Sequence, residues 1–175
     1  MTVVSIGEQA PAISLPDADG ATRTLEGAPA TVVVFTCNHC PYALAWHDRI
    51  IAVARDYAPR GVRVLAINPN DASRYPRDSL EAMRARVAAG EFGGVPYLRD
   101  ESQEVARAYG ALTTPDVFVL DAGGTLRYRG APDGNYDEPA ENAAWLRAAL
   151  DAVLAGEAPD PAETEPVGCS VKWRD

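Results

Sequence analysis

The chain has 175 residues, 47% of them hydrophobic, enough to fill the core of one ordinary globular domain without disulfide staples. Its 16 basic residues are outweighed by 25 acidic ones, and the formal charge of −9 would repel nucleic acid rather than gather it. Three cysteines are too few for a disulfide scaffold. No run approaches the roughly 18 apolar residues of a membrane span, and Met1 to Pro16 lacks the basic start and apolar run of a secretory signal. The expectation is therefore a cytoplasmic protein with neither a membrane nor a nucleic-acid partner.

Residues 13–15 and 22–25 flank Asp19-Gly20, which reads as a hairpin. Thr31 to Phe35 is an unbroken apolar, β-branched run, as expected of a strand buried on both faces. From Pro41 to about Tyr57, Leu44, Ile50, Ile51 and Val53 recur at helical spacing, which predicts an amphipathic helix. Val62 to Ile67 reads as a second buried strand, closed by the loop composition of Asn68-Pro69-Asn70-Asp71. Helices are predicted over 79–89, ended by Gly90, and over 102–109, ended by Gly110.

Residues 116–120, the turn 121–124 and residues 125–129 form a second predicted hairpin. A last helix is expected over about 139–155. The tail after Gly156 is rich in Pro and Glu and ends in Gly168-Cys-Ser-Val-Lys-Trp173. This order, ββ then βαβα then αββα, predicts an α/β fold: a mixed central sheet flanked by helices, with an N-terminal β-hairpin extension. Residues 1–156 would form the domain and 157–175 a tail packed on it.

Chemistry concentrates at Thr36-Cys37-Asn38-His39-Cys40, between a buried strand and the helix that it feeds. A helix N-terminus has unsatisfied N–H groups and favours negative charge, so a thiolate placed there has a lowered pKa. Two intervening residues let one sulfur reach the other as the helix turns. Cys37 is expected as the exposed attacker and Cys40 as the more buried resolver. His39 lies between them, ready to donate a hydrogen bond or place positive charge beside the thiolate. A stabilised thiolate makes a disulfide more oxidising, so a potential above the roughly −270 mV of thioredoxin is expected.

A structural zinc would need two further ligands, drawn from His39, His47 or Cys169. No second CxxC or HxxxH accompanies the pair, so no metal is assigned. Pro41 stands where covalent haem attachment needs histidine. No glycine-rich phosphate loop occurs, and no organic cofactor is expected. A second signal is Thr114-Pro115 at the head of a strand, in a place where a cis bond is common. Pro115 would pack over the sulfur pair, and the Thr114 backbone would pair with a substrate's chain. Cys169, in a tail anchored by Val171 and Trp173, is a possible resolving cysteine. Packing or turn chemistry suffices for Trp46, His47, Asn68 to Asp71 and the acids of 133–141.

At these residues the chain resembles the thioredoxin-like superfamily. More narrowly it is similar to its bacterial peroxiredoxin-like branch, related to the alkyl hydroperoxide reductase and thiol-specific antioxidant proteins. The resemblance rests on Phe35 to Tyr42 (Phe-Thr-Cys-Asn-His-Cys-Pro-Tyr), Ile67 to Asp71, Thr114-Pro-Asp116 and Gly168 to Trp173. It implies a thioredoxin fold with redox-active cysteines. Peroxiredoxins carry Thr-x-x-Cys in the first helical turn; here Cys40 takes the cysteine's place and Cys37 the threonine's. Thioredoxins carry Trp before the first cysteine and a buried aspartate six residues before it; here these are Thr36 and Thr31.

The function expected first is thiol–disulfide exchange by Cys37 and Cys40, acting on protein or small-molecule thiols and disulfides and recharged by a thioredoxin or glutathione system. The alternatives are a thiol peroxidase with Cys40 or Cys37 as peroxidatic residue, and a redox-sensing or metal-binding module.

Overall fold

The computed structural model describes residues 3–175; residues 1 and 2, where the predicted domain begins, lie outside them. The main sheet has five strands. Its centre is β3 (Ala30–Phe35), every residue of which is buried, as its continuous apolar run requires. On one side β3 pairs in parallel with β4 (Arg63–Asn68), and β4 with β5 (Tyr97–Arg99). On the other side it pairs antiparallel with β7 (Asp116–Asp121), and β7 with β8 (Leu126–Gly130). The N-terminal hairpin is β1 (Ser14–Pro16) with β2 (Thr22–Thr24).

Alternation along β3 separates two cores. Val32 and Val34 face a cluster with Trp46, Ile50 and Val53 of α1 (Pro41–Tyr57), Met83 of α2 (Leu80–Ala88), and Leu146 and Leu150 of α4 (Ala144–Leu154). Val33 and Phe35 face Leu65, Ile67, Phe118, the N-terminal segment, and Ala106 and Tyr109 of α3 (Glu104–Tyr109). The mixed sheet covered on both faces is a thioredoxin-like fold. Among the predicted elements, β5 went unseen and the last helix is shorter than expected. Residues 139–141 form a separate 3-10 turn, and α4 begins only at Ala144.

The chain after Gly156 returns along β8, where the Arg129 and Thr164 backbones exchange hydrogen bonds with residues 162 and 129 at 3.1 and 3.0 Å. It then crosses to β6 (Thr113–Thr114), where β9 (Cys169–Ser170) pairs antiparallel with it in the register Thr114↔Cys169. Beyond β9, Val171 is buried, and the Val171 N–H donates to the Leu112 carbonyl at 3.1 Å. The Lys172 backbone exchanges hydrogen bonds with Asn70 Oδ1 (2.9 Å) and the Asp71 N–H (2.9 Å). Two glycines permit this course. A Cβ on Gly130, at φ +144°, would overlap Thr164, and one on Gly168 would overlap the Thr114 carbonyl.

Candidate functional site

β3 ends at Phe35 and α1 begins at Pro41, whose ring fits the first helical position because no N–H is needed there. Cys40 is the N-cap of α1, in extended conformation at φ −74° and ψ 125°. The turn before it is tied down through Asn38. The Asn38 N–H donates to Asp78 Oδ1 (2.7 Å) and its amide donates to the Arg77 carbonyl (2.8 Å). Its Oδ1 accepts from Tyr97 Oη (2.7 Å) and Arg86 Nη1 (2.8 Å).

Cys37 and Cys40 are free thiols, 1% and 0% exposed, and Cys169 packs against them with partial exposure. This corrects the expected contrast between an exposed Cys37 and a buried Cys40, since both are buried. Thr114 touches each sulfur. Its hydroxyl lies 3.3 Å from Cys37 Sγ, and its carbonyl accepts from the Cys40 thiol at 3.1 Å. The Thr114–Pro115 bond is cis. The backbone position expected to take a substrate's chain is filled by the protein's own β9.

The sulfurs titrate as a unit. The neighbouring Cys37, ahead of Cys169 and the Ala43 backbone, draws the Cys40 thiol down to about 4 against desolvation. The Thr114 carbonyl opposes this, since its negative end faces the sulfur. Cys37 is pushed well above the usual thiol range, because the neighbouring Cys40, its burial and the Asp78 carboxylate all favour its protonated form. Burial and the donation to Cys40 raise Cys169 to about 11.

His39 stacks on Tyr75 with ring centroids 5.4 Å apart, and its Nδ1 lies 2.6 Å from Asp78 Oδ2. Asp78 is fully buried and also accepts from Asn68 (3.1 Å) and Asn70 (3.0 Å). Cys37, His39 and Asp78 thus offer three donor atoms within 4.8 Å of one another, the group among the described residues with metal-ligating character. The Asp78 oxygens are already engaged by amide donors, so this geometry serves as a hydrogen-bonded brace as it stands.

Other expected residues sit elsewhere. Thr36 lies on the face of β3 shared with Val34 and lines a small cavity with His47 and Phe92. His47 is buried, its ring nitrogen 2.6 Å from the Glu91 carbonyl, and burial lowers its pKa. Trp46 is packed and donates to Asp133 at 2.8 Å. Pro115 is in the loop that bears Thr114, but the sulfur contacts come from Thr114. Asp78, Asn38 and Tyr97 were not singled out in the sequence. Asn68 and Asn70 were read as loop composition, and nothing in their spacing announces Asp78.

A dithiol at the N-terminus of the helix following the central strand of a thioredoxin-like fold defines a thiol-based oxidoreductase class. A family profile described as AhpC/TSA matches residues 6–129, and the chain belongs to that family. It is 28% identical over 131 residues to the thiol:disulfide interchange protein DsbE of Allochromatium vinosum, covering 71% of this chain and 65% of that one. The chain thus spans just under two thirds of that relative's length. The crystal structure of an uncharacterized conserved protein from Geobacillus kaustophilus superposes with a TM-score of 0.89 at 40% identity, covering 99% and 94% of the two chains. A thiol:disulfide interchange protein of the thioredoxin family from Chlorobium tepidum shares the fold, with a TM-score of 0.64, 22% identity and coverage of 83% and 98%.

Proposed function

We propose that this protein is a thiol–disulfide oxidoreductase whose redox centre is the Cys37–Cys40 pair, working in the cytoplasm. The observation that carries the reading is the placement of two free thiols, three positions apart, at the N-terminus of α1. In exchange, a thiolate attacks an incoming disulfide and a mixed disulfide forms. A second thiol of the site then expels the product, so the two electrons of the dithiol leave with it. Substrates are protein or small-molecule disulfides, and a thioredoxin or glutathione system restores the dithiol. The stabilised thiolate supports a potential above the roughly −270 mV of thioredoxin.

The peroxidase reading is favoured by the family and by the low pKa of Cys40 in the first turn of α1. Against it, peroxiredoxins set an arginine beside the sulfur to polarise the peroxide, and here neither arginine of the β7–β8 hairpin is turned to the sulfurs. Arg127 pairs with Asp121 at 2.8 Å, and Arg129 lies over the Phe118 ring and donates to the Gly110 carbonyl. The test is one reduced sample divided between hydrogen peroxide and a glutathione redox series, with disulfides located by peptide mass. Clean equilibration of Cys37–Cys40 with glutathione and slow reaction with peroxide is expected. Fast stoichiometric oxidation by peroxide, without equilibration, would replace exchange by peroxidase chemistry.

A further inference from the structure

The proposed redox pair is closed off. At 1% and 0% exposure, neither Cys37 nor Cys40 presents a sulfur to a partner in solution, and exchange requires attack at a sulfur. The edge of β6 beside the pair is taken as well. β9 fills it in the register Thr113↔Ser170 and Thr114↔Cys169, with Gly168 pressed so close that a methyl would overlap the Thr114 carbonyl. An incoming chain that paired by strand addition at Thr114 would meet β9 already in place.

The same arrangement supplies a way out. Cys169 is partly exposed and packs on the pair. It is held on both sides, by the ladder to β6 and by the buried Val171, so its sulfur is positioned rather than carried on a free tail. We infer that Cys169 is the port of the enzyme: the tail strand stands where a substrate strand would lie, and Cys169 passes disulfides between the buried Cys37–Cys40 pair and thiols in solution. This rests on the redox-pair reading above and names its internal partner.

The steps balance with glutathione disulfide as oxidant. Cys169 passes its proton to Cys40 and attacks the glutathione disulfide; that S–S bond breaks and one glutathione thiolate leaves. This thiolate takes the proton from Cys40, and the Cys40 thiolate attacks the Cys169 sulfur; the second glutathione thiolate leaves, giving a Cys40–Cys169 disulfide. Cys37 yields its proton to the second glutathione thiolate and attacks Cys40, and Cys169 leaves as thiolate. One Cys37–Cys40 disulfide has formed and one glutathione disulfide has become two thiols, whose protons came from Cys169 and Cys37. Reduction runs through the same steps in reverse.

The experiment mixes the reduced full chain with glutathione disulfide, quenches with acid over time and locates the disulfides by peptide mass. In Cys40→Ser, the glutathione adduct is expected on Cys169 and not on Cys37. In Cys169→Ser and Cys169→Ala, the Cys37–Cys40 disulfide should reach the wild-type equilibrium but about tenfold or more slowly, because access to the attacked sulfur sets the rate. Melting curves like the wild type's accompany the result if the fold is intact. Wild-type rates in both Cys169 variants would mean that the tail lifts and the pair reacts directly, which overturns the port. So would an adduct on Cys37 in Cys40→Ser. Absence of a Cys37–Cys40 disulfide at every glutathione ratio, in wild type and variants alike, would instead sink the redox-pair reading.

Discussion

Replacement of Asp116 by Asn tests how the buried ground beneath the site responds to pH. Asp116 follows Pro115 and is fully buried; its Oδ2 accepts the Leu112 N–H at 2.9 Å, while its Oδ1 has no partner among the described residues. Burial raises its carboxyl from 3.8 to about 6, against the pull of the Leu112 N–H and of Arg129. Between those two values the folded chain holds a proton that the unfolded chain has released. Stability contributed by this group therefore falls as pH rises through these values, and is level by about pH 7. Roughly two pKa units at about 1.4 kcal/mol each make the fall about 3 kcal/mol. Asn cannot titrate and keeps an oxygen for Leu112, so the variant lacks this component of the profile. Urea unfolding of both proteins at intervals from pH 4 to 8 reads it out. The stability difference, variant minus wild type, should grow by about 2 kcal/mol between pH 4 and pH 6 and level off by about pH 7. A difference that is flat across this range would refute the assignment of a raised carboxyl.

Asp78→Asn should lower the Cys37 thiol pKa, since it removes the negative charge facing that sulfur, and should destabilise the fold by about 2–4 kcal/mol through its broken donor network. The pH dependence of alkylation at Cys37, followed in a Cys40→Ser, Cys169→Ser background, measures the first effect; an unmoved titration would show that the brace does not act on the sulfur. Gly168→Ala places a methyl against the Thr114 carbonyl and should unseat β9. Iodoacetamide should then label Cys37 and Cys40 several-fold faster than in the wild type; unchanged labelling would show that the tail does not cover the pair.

What the sequence disclosed followed from local rules. The unbroken Thr31–Phe35 run announced the central strand, the Pro41 start announced α1 with its bounds, and Asp19-Gly20 announced the first hairpin. β5 escaped because three residues, Tyr97 to Arg99, are too few to show a period, and their strand character comes from pairing with β4. The site was legible where neighbours in sequence make it, at Cys37, His39 and Cys40. Asp78 was not, because it reaches the sulfurs from a 3-10 turn 40 positions beyond Asn38, and its role is written only in the hydrogen bonds that converge on it. The exposure expected of Cys37 failed for a similar reason: Thr114, which touches its sulfur, lies 77 positions away and is paired to the tail strand β9.

That strand also sets an order of events during synthesis. Cys40 and Cys169 are 129 positions apart, so in a growing chain the first two cysteines emerge long before their cover exists. Until β9 reaches Thr114, nascent Cys37 and Cys40 meet cellular oxidants and chaperones as open thiols, and docking of the tail closes that interval. Docking of β9 is thus the last step in assembling the site.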